Sequence, residues 1–374
     1  MIFSAGKQNK RAGVLICGAY GHGNAGDEAI LEAVVMQMRE IDADMPVTVL
    51  SRRPEETKKR YGVDSLHTFD FIGFYGKMRK TELYINGGGS LIQDITSRRS
   101  LWYYLFTILL AKKTGNRVIM YGCGIGPVIR GYNKRLAGRI INDNVDVITL
   151  REPKSLEELS AFGVSEPEII LTSDPAMSLS AAEETKVRDE FLKYGMDPDG
   201  KYICFALRRW PGFKDKARCF TDAANHAYEK YGLTPVFISI NHRNDGEAAD
   251  AAAGGLRIPC HILRDPMPAG ITIGMMKRMT AVISMRLHGL IFAAVAGVPL
   301  VGISYDPKIN SFADYMGQMP VADLEKLESE KLRELTDFAI GQGASKEILL
   351  QNAGRLAEIE RRNADCVRKL LSRD

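Results

Sequence analysis

The side chains that could do chemistry in this chain gather in a few short stretches. Arg151-Glu152, Arg208-Arg209-Trp210, Asn241-His242-Arg243, Arg286-Leu287-His288-Gly289 and Tyr305-Asp306-Pro307-Lys308 all stand at the ends of apolar runs. Guanidinium groups bind phosphate and carboxylate oxygens through paired hydrogen bonds, and imidazole exchanges a proton near neutral pH. The stretch Ser284 to Gly289 lies between two strongly apolar segments, where a solvated charged face is not expected. Arg286 and His288 therefore need partners or a ligand. A lone buried histidine is more often structural, but an arginine two positions earlier favours a catalytic reading.

Glycine supplies a second signal. Gly18-Ala19-Tyr20-Gly21-His22-Gly23-Asn24-Ala25-Gly26-Asp27-Glu28 follows one apolar run; Asn86-Gly87-Gly88-Gly89-Ser90, with Gln93 and Asp94, follows another; Gly122-Cys123-Gly124-Ile125-Gly126-Pro127 follows a third. Without a Cβ, such loops let backbone N–H groups point at an anion beside a helix N-terminus. A single glycine loop is as well explained by a tight turn. Three on one sheet edge favour a ligand site. Gly21 to Gly26 matches G-x-G-x-x-G literally, yet a nicotinamide-dependent oxidoreductase fits poorly. Gly18-Ala19-Tyr20 intervene after the run, Asp27 and Glu28 stand where pyrophosphate belongs, and Ser51-Arg52-Arg53 lacks the ribose-binding acid.

These residues must be positioned by strands. Apolar runs at residues 14–17, 47–50, 83–85, 118–121, 147–150 and 169–171 alternate with segments of helical spacing, and the alternation restarts at 202–207, 236–240, 261–263, 281–284 and 300–304. Strand–helix alternation predicts parallel sheets with right-handed crossovers, whose ligands bind beyond the carboxyl ends of the strands. The pattern breaks at Ser173-Asp174-Pro175. The expected organisation is an α/β chain with a Rossmann-like domain over residues 1–178 that carries the glycine-rich loops, a second over 179–322 that carries the Arg and His motifs, and amphipathic helices over 323–374 packing across both.

Bulk properties agree. A chain of 374 residues exceeds what one core usually organises. Its 50 basic and 46 acidic residues balance too evenly to imply nucleic-acid binding. Six cysteines lie far apart, without Cys-x-x-Cys spacing, which suggests neither a zinc site nor a disulfide framework. The start, Met1 to Arg11, is polar and lacks the core of a secretion signal, so a cytoplasmic location is expected. Residues 101–111 and 290–303 are apolar but shorter than the roughly 18 residues a membrane span needs.

Six blocks in register carry a family resemblance: Gly23-Asn24-Ala25-Gly26-Asp27-Glu28, Gly87-Gly88-Gly89 with Asp94, Gly124-Ile125-Gly126-Pro127, Ser173-Asp174-Pro175, Met285-Arg286-Leu287-His288-Gly289, and Ile303-Ser304-Tyr305-Asp306-Pro307-Lys308. Together they resemble the polysaccharide pyruvyltransferases, most of all the CsaB-type members. The resemblance implies two Rossmann-like domains in a glycosyltransferase-B-like fold with the active-site cleft between them. It implies transfer of pyruvate from phosphoenolpyruvate to a sugar as a cyclic ketal. In CsaB-type members the acceptor is an N-acetylmannosamine-containing cell-wall polymer precursor on a lipid.

By motif position, Arg286, Arg208 and Arg151 would hold the donor and His288 would be the acid. Asp27, Asp94 and Glu152 would orient or deprotonate acceptor hydroxyls. Gly23, Asn24, Gly26, Gly87, Gly88, Gly89, Ser90 and Gly124 would line the substrate loops. Neither a cofactor nor a metal is expected. Cys123, where many members carry glutamine, and Arg209 depart from the pattern. The competing readings are a nucleotide-sugar glycosyltransferase of the same layout and a catalytically silent binding module. Arg52, Arg53, Lys58, Lys59, Arg60, Arg98 and Arg99 could face anionic headgroups at the inner membrane surface or the diphosphate of a lipid-linked acceptor, or lie on ordinary solvated helices.

Overall fold

The computed structural model describes residues 11–317, 319–341 and 346–372. The polar start, Met1 to Lys10, lies outside the described residues. Seven strands form the first sheet: β1 (Val14–Cys17), β2 (Val47–Ser51), β3 (Asp64–His67), β4 (Leu83–Ile92), β5 (Arg117–Ile125), β6 (Val147–Leu150) and β7 (Glu168–Leu171). Between them run α1 (Ala25–Ile41), α2 (Pro54–Tyr61), α3 (Phe71–Met78), α4 (Arg98–Lys113), α5 (Gly131–Asn144) and α6 (Lys154–Ala161). The second sheet has β8 (Tyr202–Ala206), β9 (Thr234–Ile238), β10 (His261–Leu263), β11 (Met279–Ser284), β12 (Leu300–Ser304) and β13 (Val321–Asp323). Its helices are α7 (Glu184–Lys193), α8 (Phe213–Tyr231), α9 (Gly246–Ala253), α10 (Ala269–Lys277), α11 (Leu287–Val295), α12 (Pro307–Met316), α13 (Ser329–Gly341) and α14 (Lys346–Glu360); α15 (Arg362–Leu371) ends the described chain.

Every pairing within the two sheets is parallel, as strand–helix alternation requires. The strand orders are β3-β2-β1-β4-β5-β6-β7 and β10-β9-β8-β11-β12-β13. Both reverse direction once, between β1 and β4 in the first sheet and between β8 and β11 in the second. In such doubly wound sheets the reversal is where ligands bind. Helices on both faces bury the central strands throughout: β1, β2, β6, β8 and β12 are buried at every position.

The chain forms two compact units. One contains residues 11–22, Val34–Asp174 and 361–372; the other contains Gly23–Ala33 and Pro175–Glu360. The sequence suggested a boundary near residue 178 and helices over 323–374 packing across both domains. In the structure the first turns of α1 also belong to the second unit, because Ala25, Ala29 and Ala33 pack in its core with Leu287, Leu290 and Ile291. Of the C-terminal helices, α13 and α14 belong to the second unit. Helix α15 belongs to the first, where Lys369 pairs with Glu168 and the Asn363 carboxamide accepts from Thr172.

Two strands escaped the sequence pattern, β3 and β13. Both are sheet edges, and neither shows the continuous apolar run of a central strand. The structure also corrects two of the three expected glycine loops. Gly87, Gly88, Gly89 and Ser90 lie inside β4, and Gly122 and Gly124 inside β5. Pairing runs on from Gly87 with Tyr121 to Gly89 with Cys123, with a register shift before Ile92 pairs with Ile125. Gly88, Gly89 and Gly122 have φ of 52°, 74° and 52°, which glycine alone adopts without strain. These glycines bend strands.

Close approach depends on one further glycine. A Cβ on Gly138, in α5, would sit 2.0 Å from the Phe162 carbonyl oxygen at the end of α6. Gly138→Ala is therefore expected to cost roughly 1–3 kcal/mol in urea unfolding. Gly76→Ala in α3, where a Cβ meets nothing within 4 Å, is expected to be neutral or to gain up to about 1 kcal/mol. Equal effects would show that the α5–α6 approach is not tight.

Candidate functional site

The reversal point of the second sheet brings together the side chains that the sequence singled out in that half. Arg208 follows β8, and Arg286 and His288 follow β11, the neighbouring strand. Arg286 occupies the N-cap position of α11 and His288 lies in its first turn. The turn is set by Ser284, whose hydroxyl accepts from the Arg286 N–H at 2.9 Å and donates to the Arg286 carbonyl at 2.8 Å. Gly289 is required there, since a Cβ would come within 2.4 Å of that hydroxyl.

Arg286 is buried and ion-paired. Its Nε donates to both carboxylate oxygens of Asp245 at 3.0 Å, and its Nη2 bonds the same group. Asp245 is 1% exposed and also accepts from the backbone N–H groups of Ile240 and Asn241, at 3.1 and 2.7 Å. The carboxylate thus folds the β9–α9 connection and orients the guanidinium in one piece. Sequence reading missed Asp245. Its signal was an aspartate five residues after Ile240 among polar neighbours, which becomes informative only once the burial is known.

Arg208 is placed differently. Its Nη1 donates to the Tyr305 hydroxyl at 2.6 Å, and its guanidinium carbon lies 5.1 Å and 4.9 Å from the ring centres of Trp210 and Tyr305. The two rings are 4.5 Å apart. Among the described residues no carboxylate lies within ion-pair distance of Arg208, and its guanidinium is positioned by aromatic faces. Close by, Lys308 pairs with Asp306 at 3.0 Å. Burial would push the Asp306 carboxyl up, but Lys308 and Arg208 outweigh it and hold the group below its usual range. Arg209 is exposed and paired with Glu247.

The Gly23–Glu28 block belongs to this same unit. Asn24 bridges Asn241, the Ala25 N–H donates to the Ile240 carbonyl at 2.8 Å, and the His242 N–H donates to the Gly23 carbonyl at 3.2 Å. The Asn24 carboxamide accepts from the Gly26 N–H and donates to Asp27 at 2.6 Å. A Cβ on Gly26 would lie 2.1 Å from His288 Nδ1. Backbone is therefore laid directly against the imidazole, and Gly26 is the residue that permits it. Gly23, with φ 78°, supplies the turn.

In the first unit the predicted residues have other occupations. Arg151 is 5% exposed, and its three guanidinium nitrogens donate to Glu152 at 3.0 Å, Asp174 at 2.9 Å and Ser90 at 3.0 Å. Burial pulls its pKa down, but Glu152 and Asp174 outweigh this and hold it above the usual arginine value. Gly124 makes room, since a Cβ there would meet Glu152 and Arg151 at 2.8 and 2.9 Å. Asp94 is also committed. It accepts from the N–H groups of Ile129 and Arg130 and from Asn133, at 2.7, 3.3 and 2.7 Å. Burial pushes its carboxyl up; these hydrogen bonds and the Arg130 charge prevail and hold it below the usual range. At the reversal between β1 and β4 a fully buried Tyr20 fills the space, cleared for it by Gly18 and Gly87, and donates to the Gly87 carbonyl. Cys123 is buried, its thiol pushed up to about 12 by that burial, and belongs to the core.

Among the described residues no cluster of three or more His, Cys, Asp or Glu could hold a metal, and no helix is long and apolar enough to cross a membrane.

A family model described as polysaccharide pyruvyl transferase matches residues 24–307. No curated relative matches the sequence. Among solved structures, Anabaena Alr3699/HepE in complex with UDP and glucose is similar at a TM-score of 0.65 and 10% identity, over 97% of this chain and 100% of that one. A glycosyltransferase from Rickettsia africae is similar at 0.64 and 10%, over 97% and 100%. UDP-GlcNAc 2-epimerase from Neisseria meningitidis is similar at 0.65 and 11%, over 95% and 99%. At such identities the likeness concerns the fold, and that fold is the twin Rossmann-like, glycosyltransferase-B-like one.

Two outcomes are expected from these geometries. Asp245→Ala should destabilise by about 3–5 kcal/mol, because it leaves Arg286 as an unpaired buried cation. Asp245→Asn, which keeps the shape and one acceptor, should cost less; urea unfolding of both variants decides. Asp94 has a depressed carboxyl, so its contribution is present above the unfolded value near 3.9 and is lost as pH falls through the lower folded one. The stability gap between wild type and Asp94→Asn should therefore shrink from about pH 5 downwards. A gap independent of pH would contradict the ionised, hydrogen-bonded carboxylate.

Proposed function

Because the chain belongs to the polysaccharide pyruvyl transferase family, we propose that it transfers pyruvate from phosphoenolpyruvate to two hydroxyls of a sugar, forming a cyclic ketal and releasing phosphate. The observation that carries this reading is the seating of His288 against Gly26 on the turn that begins at the Asp245-braced Arg286, with the aromatic-stacked Arg208 following the neighbouring strand at the reversal of the second sheet. An acid and fixed cations at adjacent strand ends suit a donor that carries both a phosphate and a carboxylate.

His288 delivers a proton to the methylene carbon of the donor, which leaves C2 electron-poor. A first sugar hydroxyl adds to C2 and gives up its proton. The C2–O bond to phosphate then breaks, inorganic phosphate departs with the bonding pair, and the second hydroxyl closes the ring with loss of its own proton. Asp27, aligned by Asn24, is the base we assign to an acceptor hydroxyl. Arg208 binds a donor oxyanion directly. Arg286, with Nε and Nη2 engaged by Asp245, contributes its remaining nitrogen and the helix start it caps. Arg151 braces strand ends, and Asp94 is withdrawn from the catalytic set. No cofactor is needed for this chemistry.

Resemblance to CsaB-type members supports an N-acetylmannosamine-containing cell-wall precursor, carried on a lipid, as the acceptor, and with it a cytoplasmic enzyme meeting the inner face of the membrane.

The test supplies purified protein with phosphoenolpyruvate and lipid-linked or free amino-sugar disaccharides. Acceptor mass gain together with phosphate release is expected. Release of UDP from a UDP-sugar, without phosphate release, would instead establish a nucleotide-sugar glycosyltransferase. His288→Ala is expected to lower kcat, and Arg208→Ala to raise donor KM roughly ten- to a hundredfold, the loss of one charge-assisted contact. His288→Ala with wild-type kcat and an unchanged melting curve would remove it from the acid's role.

A further inference from the structure

The first unit carries an apolar face that its core does not use. In α3, Phe71 and Ile72 are 48% and 89% exposed; in α4, Trp102 and Phe106 are 44% and 45% exposed. Phe69, in the turn before α3, is exposed as well. The rings touch: Phe71 lies 6.2 Å from Phe106 and 6.2 Å from Phe69, so the two helices share one aromatic surface. Scattered exposed apolar residues are ordinary, but a contiguous aromatic patch marks an interaction surface.

The charge around that surface is predominantly basic. Arg98, Trp102 and Phe106 are spaced i, i+4, i+8 on α4, and Arg99 adjoins them. Arg52 stacks on Phe69 at 4.8 Å, and Arg79 and Lys80 close α3 on solvent. Neither α3 nor α4 contains a carboxylate. Asp70 is engaged as the α3 cap, accepting from the Gly73 N–H, and Asp64 is paired with Lys77. On α2, by contrast, Arg53 and Lys58 are neutralised by Glu56 and Glu55. Beside the aromatic face the exposed Arg52, Arg79, Lys80, Arg98 and Arg99 outnumber the carboxylates Asp64 and Asp70.

We infer that the α3–α4 face, with Phe69, is a docking surface for a bilayer rich in anionic lipid. Trp, Phe and Ile enter the headgroup–acyl boundary while arginines at the rim meet the phosphates. Trp102 suits the boundary, since its indole N–H donates to Asn133 at 3.0 Å on the protein side while the ring remains partly exposed. The inference narrows the proposed membrane contact to this face. It stands on the surface alone and is independent of the reaction.

The test uses the full chain with vesicles of phosphatidylcholine, with and without phosphatidylglycerol, and neither donor nor sugar. Sedimentation with the anionic vesicles at low salt is expected, with release as salt rises. Trp102 emission should shift to the blue on binding, and the shift should vanish in Trp102→Phe, which leaves Trp210 as the chain's other tryptophan. Arg98→Glu with Arg99→Glu should weaken anionic-vesicle partitioning by more than about tenfold. Ile72→Ser with Phe106→Ser, at exposed positions the fold does not need, should abolish the blue shift with an unchanged melting curve. Three results would overturn the inference: no partitioning into anionic vesicles, partitioning untouched by either pair, or a concentration-dependent dimer that these substitutions dissolve. Failure here with ketal formation intact would leave the catalytic reading standing.

Discussion

A guanidinium buried at the carboxyl end of a strand cannot stand alone, and this requirement organises both halves of the molecule. Desolvating a charge costs several kcal/mol unless a counter-charge and hydrogen bonds replace the lost water. Each unit meets the requirement in the same way. Arg151, after β6, is closed by Asp174, after β7; Arg286, after β11, is closed by Asp245, after β9. Neither carboxylate serves its arginine in isolation. Asp245 also gathers the N–H groups of Ile240 and Asn241, so removing the cation's partner would unmake a loop as well.

The division of labour among the arginines follows. A guanidinium matched by buried carboxylates holds geometry; one held by aromatic faces is positioned without an ion pair. By that criterion Arg151 is a brace, Arg208 is set by Trp210 and Tyr305, and Arg286 is oriented by Asp245 next to the imidazole-bearing turn. The glycines follow the same logic of space. Gly124 admits the Arg151–Glu152 pair, Gly87 admits Tyr20, and Gly26 admits His288. Glycine-rich stretches that read as anion cradles act here as clearances for large side chains.

Much of this was legible beforehand. The central strands were, because burial on both faces writes them as unbroken apolar runs; β1 begins and ends where its run does. The edge strands β3 and β13 were not, since one-sided pairing tolerates Asp64 and His67 in β3. The Arg286-Leu287-His288-Gly289 turn was legible from charge set within apolar sequence. Its counter-ion was not, because Asp245 lies 41 residues away and nothing local marks an aspartate as buried. The companionship of Gly26 and His288 was likewise hidden, since chain distance says nothing about which turn packs on which. Arg151 and Asp94 looked available for the same reason: sequence displays charges and conceals the partners that consume them.

The interleaving of the two units along the chain bears on biosynthesis and on engineering. A cut at the Asp174–Pro175 junction would not yield two self-sufficient pieces. One fragment would lack the α1 residues Ala25, Ala29 and Ala33 that complete its core, and the other would lack α15 with its Asn363–Thr172 contact. On the ribosome the first unit must wait for residues 361–372, which follow the whole of the second unit, before its architecture is complete. The unit that begins first is therefore completed after the other has been made. Neither half could be swapped into another protein as a contiguous cassette.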